Sequence, residues 1–179
     1  RMYIFSTRCR VAHLDVVPLK PLVTYALSLS RNKDAGGNDY PVWKLNEPMI
    51  PARSGPTEGV CHGLPAENSI RPQNVFNAGD IITPDIEGTA SHYGGHCAFW
   101  YSTDDVTFTK IVDVKDCTLS PKTTRVQLPE TMPAECGARC TFAWTWTPAV
   151  SGLCEVYSNC ADIRVNGLAM THHVDPDAM

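Results

Sequence analysis

At 179 residues the chain is long enough for one domain with a substantial core, and a hydrophobic share of 43% excludes a disordered protein. A formal charge of -4 without a basic cluster excludes nucleic acid as a partner, and no run reaches the roughly 20 apolar residues that cross a bilayer. Eight cysteines with no CxxC pair point to disulfides in an oxidising compartment rather than a zinc ribbon, so the chain reads as secreted.

Fourteen prolines, twelve glycines and many short alternating runs predict an all-β chain with long loops. The opening, Arg1-Met2-Tyr3-Ile4-Phe5-Ser6, alternates as a first strand does. It lacks the long apolar segment of a signal peptide, so it is expected to be a mature end whose amino group is available for chemistry. Residues 10–60 hold prolines, glycines and polar turns around one apolar stretch, Leu22 to Leu29, read as a helical turn or two. Loops this long are usually functional or pinned by disulfides. Tyr25, Tyr40 and Trp43 lie in them, either plugging the loops onto the domain or forming an aromatic surface that stacks on sugar rings.

Further on, Val75–Phe76 and Ile81–Ile82 read as a strand pair joined by Asn77-Ala78-Gly79-Asp80. Next comes Ser91-His92-Tyr93-Gly94-Gly95-His96-Cys97-Ala98-Phe99-Trp100-Tyr101-Ser102. Its adjacent glycines allow a tight bend; beyond them Ala98, Trp100 and Ser102 fall on one strand face, Phe99 and Tyr101 on the other. His92 therefore stands in an inflexible corner at the start of a strand, a candidate metal ligand. Thr103-Asp104-Asp105 is turn chemistry, and Val106, Phe108, Val112 and Val114 read as the return limb of a hairpin, with Lys110 facing the same way.

Two more strands are expected at Thr124–Leu128 and Thr141–Thr147; in the second, Phe142, Trp144 and Trp146 share a face and are expected in the core. The last strand, Glu155–Val165, puts Glu155, Tyr157, Asn159, Ala161, Ile163 and Val165 on one face, polar at one end and apolar at the other. Such a strand leaves the core and rises to a site. His13 and His62 read as structural, and His172 and His173 as part of a frayed tail. There is no internal repeat, phosphate loop, nucleophile elbow, HExxH motif or N-glycosylation sequon.

Taken together, Arg1-Met2, His92-Tyr93-Gly94-Gly95-His96-Cys97, Ala143-Trp144-Thr145-Trp146 and Glu155-Val156-Tyr157-Ser158-Asn159-Cys160 resemble the fungal lytic polysaccharide monooxygenases, most closely their chitin-active branch. That branch opens His-Met, has a His-x-Gly-Gly-x-Cys corner, and carries Ala-Trp-Thr-Trp ahead of a strand ending Glu-x-Tyr-x-Asn-Cys. The resemblance covers residues 58–166 and the first few, and leaves residues 10–57 unmatched. It implies an immunoglobulin- or fibronectin-III-like antiparallel β-sandwich over residues 1–166, with long disulfide-pinned loops and a short tail at 167–179. It also implies a copper site on a flat face, held by a terminal amine, the terminal histidine's imidazole and a second histidine, a planar nitrogen set that suits Cu(II). Carried over, His92 matches the second histidine, Tyr157 the axial tyrosine, and Glu155 the carboxylate that handles oxygen or peroxide. Cys61–Cys160 and Cys97–Cys117 are the implied disulfides, while the pairing of Cys9, Cys136, Cys140 and Cys154 stays open.

The departure is Arg1, which stands where the family has its histidine. A guanidinium stays protonated, carries only donors, and repels a metal ion placed beside it. The terminal amine of Arg1, His92 and Tyr157 then remain, so copper is expected to bind weakly or not at all. Arg1 is expected to pair with Glu155 across the site. His96 is either a substitute ligand or a hydrogen-bonded surface residue; cleavage after Ala12, exposing His13, would discard the first strand and Cys9. Three readings follow. The first is a secreted, monomeric, non-catalytic protein binding a polysaccharide or cell-wall surface, with Tyr93, Tyr40 and Trp43 as surface aromatics. The second is a copper-dependent monooxygenase cleaving chitin or a related β-linked polysaccharide; the third, a copper-binding or interaction protein with no sugar ligand. The missing histidine favours the first, and retention of His92, Glu155 and Tyr157 sustains the second.

Overall fold

The computed structural model describes residues 26–27, 31, 33, 36–39, 48, 59–87, 91–119, 123–150 and 155–167. Among them the strands are β1 (Ala26–Leu27), β2 (Val75–Asn77), β3 (Ile81–Ile82), β4 (Ile86–Glu87), β5 (Gly95–Ser102), β6 (Thr109–Lys115), β7 (Val126–Gln127), β8 (Cys140–Pro148) and β9 (Tyr157–Asn166). Short 3-10 turns are the only helical elements among the described residues. A five-stranded sheet runs β2-β9-β8-β5-β6, and the pairs β3-β7 and β1-β4 lie outside it. All neighbours are antiparallel except β2, which runs parallel to β9.

Alternation along the three central strands builds the core. Register sets Cys97 beside Trp146 and Trp146 beside Tyr157; one step along, Phe99 lies beside Trp144. Phe142, Trp144 and Trp146 are all buried, as their shared face requires. Ile82, Val126, Leu128 and Met132 close over this face from the other layer, which makes the chain an all-β sandwich. On the opposite face Ala143 and Cys160 pack with Val60, Cys61, Trp100 and Phe108. Cys61–Cys160 clips residues 59–64 to β9, Cys97–Cys117 ties β5 to the turn after β6, and Cys136–Cys140 closes the turn before β8. The first two are the pairs the resemblance implies; Cys9 and Cys154 lie outside the described residues.

That second face also holds a charge cluster. Arg31, 1% exposed, donates Nε to Asp162 Oδ2 at 2.9 Å and Nη2 to Asp162 Oδ1 at 2.7 Å, a two-pronged pair. Its Nη2 also reaches Thr141 Oγ1 at 2.6 Å and Asp105 Oδ1 at 3.1 Å, and Nη1 reaches the Leu64 carbonyl at 3.2 Å. Arg139 adds a bond to Asp162 Oδ1 at 2.9 Å, and the Glu67 amide another to Oδ2 at 2.8 Å. Two guanidinium groups thus face two carboxylates, so the buried charge is compensated.

Four expectations are corrected. Ala26–Leu27 pairs with Ile86–Glu87 as strand, not as a helical turn; so short an apolar stretch makes no stable helix alone, and β4 takes its backbone bonds. β2 and β3 do not pair with each other, because Asn77-Ala78-Gly79-Asp80 carries the chain from one layer to the other. There the Ala78 amide bonds Asn166 while the Gly79 amide bonds Pro129. The return limb begins at Thr109: Asp104 accepts from the amides of Val106 and Thr107, extending the turn and leaving Val106 77% exposed. Finally, a bulge between Phe99 and Trp100 sets Val112 opposite Phe99 but Lys110 opposite Trp100, so Lys110 faces away from Val112 and lies over the Trp100 ring. The first strand expected at residues 1–6 and the tail beyond Gly167 lie outside the described residues.

Candidate functional site

Ser91 to Gly95 forms the corner. His92, Tyr93, Gly94 and Gly95 have φ of 44°, 59°, 89° and 127°, a left-handed run that two non-glycine residues enter only when the surroundings enforce it. The enforcement is visible. Trp146 Nε1 and the Ala149 amide both donate to the Gly94 carbonyl, at 3.1 and 3.2 Å. Val150 N–H donates to His92 O at 3.3 Å, and Thr118 Oγ1 to Ser91 O at 3.2 Å. The Gly95 amide donates to Asp116 Oδ1 at 3.0 Å, and the Asp116 amide returns a bond to Gly95 O at 2.7 Å. Neither glycine can be replaced freely: a Cβ on Gly95 would come closer than 3.0 Å to the Thr147 carbonyl, and one on Gly94 equally close to the Asp116 carboxylate.

His92 Nδ1 lies 3.2 Å from the Val150 carbonyl. A carbonyl only accepts, so Nδ1 carries the hydrogen and Nε2 of the neutral ring keeps its lone pair. The ring sits 5.6 Å from that of Trp146 and 6.4 Å from that of Tyr157. Tyr157, 2% exposed, donates its hydroxyl to Glu155 Oε2 at 3.0 Å. Burial first, then the Glu155 charge and that hydrogen bond, push the Tyr157 phenol well above its ordinary range, so it is neutral at physiological pH. Beside the histidine, Tyr93 is 81% and Val150 46% exposed.

The structure thus brings His92, Tyr157 and Glu155 together. It places His96 elsewhere: Nε2 lies 3.0 Å from Asp113 Oδ1, beside Lys110, on the sheet face opposite Trp146 and Tyr157. His62 is structural, its Nε2 2.9 Å from the Ser158 carbonyl. Arg1, His13, Tyr25, Tyr40, Trp43, His172 and His173 lie outside the described residues, and with them the expected Arg1–Glu155 pair. Sequence reasoning missed Asp116 and the Val150 carbonyl. The carbonyl carries no side-chain signal, and Asp116 shows only as an acid beside Cys117.

Among the described residues no three histidine, cysteine, aspartate or glutamate side chains gather to hold a metal. The corner offers one imidazole nitrogen, a neutral phenol and a carboxylate already engaged by that phenol. These groups alone do not fit a planar three-nitrogen copper centre.

No family model matches the chain. A protein of Aspergillus fumigatus named AA11 family lytic polysaccharide monooxygenase A is 29% identical over 119 residues, 65% of this chain and 52% of that protein. The chain therefore spans about half the length of the curated relative it matches. Among solved structures, the Cu(I) solution structure of a chitin-active lytic polysaccharide monooxygenase is 16% identical, covering 74% of this chain and 90% of the other, with a TM-score of 0.36. The all-β assignment stands on the strand pairing itself.

Proposed function

We propose that this is a secreted, monomeric protein of the lytic polysaccharide monooxygenase kind that binds a polysaccharide or cell-wall surface through the face around His92, without oxidative turnover. The observation that carries it is the corner itself: a rigid imidazole, pinned by Val150, with Tyr93 beside it projecting into solvent. An exposed aromatic on a fixed backbone is suited to stack on a sugar ring. The name of the Aspergillus fumigatus relative supports the class, and three disulfides support an oxidising compartment. Arginine in the motif position of the family's histidine supports the loss of copper chemistry. Chelator-treated protein should be depleted from solution by insoluble chitin, cellulose or xylan; failure on all three overturns the proposal.

The second reading, a copper-dependent polysaccharide monooxygenase, is favoured by one observation: the Val150 bond leaves His92 Nε2 as a metal-competent lone pair. Copper, when bound, would supply the oxidative chemistry, with His92 as a nitrogen ligand. In a form whose chain begins at residue 1, Arg1→His should then raise copper affinity strongly. No gain would show that the rest of the site is not built for the metal.

A further inference from the structure

We propose that Asp116 is a positioning residue for His92, the wall that holds the 91–95 bend in the shape that presents the imidazole. This rests on the reading of the His92 face as the binding surface. Asp116 precedes Cys117, whose disulfide to Cys97 fixes it beside the start of β5. Two of its groups grip one residue: its amide donates to Gly95 O at 2.7 Å and its Oδ1 accepts from Gly95 N–H at 3.0 Å. The same carboxylate lies against Gly94, where there is no room for a Cβ. Asp116 holds a left-handed backbone itself, with φ of 54°. Two residues on, Thr118 donates to Ser91 O at 3.2 Å, so one short segment holds both ends of the bend.

The geometry assigns different tasks to the two sides of the corner. Val150 holds the His92 ring and backbone, and Ala149 the Gly94 carbonyl; residues 116–118 hold the two ends of the bend that carries them. Without the carboxylate the partly buried Gly95 N–H has no acceptor, and space opens behind Gly94. The left-handed run from His92 to Gly95 is then free to relax, and the ring leaves the Val150 carbonyl. The Asp116 side chain is 38% exposed, so its removal leaves the main core intact.

Nitrogen-15 and amide-exchange NMR on the metal-free protein tests this. The wild type should show a single His92 tautomer with hydrogen on Nδ1. Asp116→Ala should show mixed tautomers and at least about tenfold faster exchange at the Gly95 amide. Asp116→Asn, which keeps an acceptor oxygen, should behave as wild type. Should Asp116→Ala fail to fold, Asp116→Glu carries the test, because its longer side chain cannot occupy the same place against Gly94 and should loosen His92 likewise. Unchanged His92 and Gly95 signals in Asp116→Ala, or loosened ones in Asp116→Asn, overturn the assignment. Polysaccharide depletion by the wild type is read separately: its failure overturns the proposed function and leaves the NMR comparison standing.

Discussion

The His92 ring and the Val150 backbone hold each other: Nδ1 lies 3.2 Å from the Val150 carbonyl, and the Val150 amide donates to the His92 carbonyl at 3.3 Å. The pair locks a residue whose backbone is strained and whose ring would otherwise choose between tautomers. Holding a half-exposed imidazole in one orientation gives the surface around Tyr93 a fixed shape.

The two glycines of the corner should respond unequally. Gly95→Ala drives a Cβ into the Thr147 carbonyl, which is part of the β5–β8 ladder and cannot move cheaply, whereas Gly94→Ala meets the Asp116 side chain. Both acquire a strained left-handed alanine, costing about 1–3 kcal/mol. Gly95→Ala should be the more destabilising in urea unfolding, and Gly94→Ala should chiefly disturb the Gly95 amide.

The cluster around Arg31 should behave as a buried ion network. Arg31→Ala removes the two-pronged partner of Asp162, which is 0% exposed and among the described residues keeps only Arg139 and the Glu67 amide, and should cost about 3 kcal/mol in denaturant unfolding. Burial raises the Asp105 carboxyl, but hydrogen bonds from Arg31 and Thr141 and the charges of Arg31 and Arg139 outweigh it and hold it below the usual range. Its contribution is therefore complete above the ordinary carboxylate value of about 3.9 and is lost as pH falls through the lower folded value. Between about pH 5 and about pH 2 the unfolding midpoint of Asp105→Asn should vary less than that of the wild type.

Tyr157 should ionise late. Its burial and its bond to Glu155 keep the phenol neutral, so in an alkaline spectrophotometric titration it should follow the exposed tyrosines. Because the unfolded phenol ionises near its ordinary value of about 10, stability should fall as pH rises beyond that point. Glu155→Gln removes the charge but not the burial, and should lower the Tyr157 midpoint only in part.

Under the proposed binding role, Tyr93→Ala should weaken retention on insoluble polysaccharide by about tenfold, in line with loss of one stacking aromatic worth about 1–1.5 kcal/mol. At 81% exposure the ring contributes little to the core, so the unfolding free energy should stay within about 0.5 kcal/mol of wild type.

Alternation made the central sheet legible: Phe142, Trp144 and Trp146 declare one face, and Phe99 against Trp100 declares the next strand's two sides. The glycine pair declared the bend at His92, and motif order brought Tyr157 to it. What the sequence concealed is long-range. Nothing local marks Arg31 as the partner of Asp162, 131 positions away, because an arginine among loop residues looks like any solvated charge. The bulge that turns Lys110 outward was equally invisible, since an inserted residue changes the phase without changing composition. Short strands misled for a related reason: β2 and β3 are too brief to prefer each other over β9 and β7.

The central claim is that this scaffold carries a binding face rather than a copper brace. Electron paramagnetic resonance during titration with Cu(II) tests it most directly. Weak, heterogeneous binding that never reaches one tight equivalent is the predicted result, and a stoichiometric axial signal from a single high-affinity nitrogen-ligated site would contradict it.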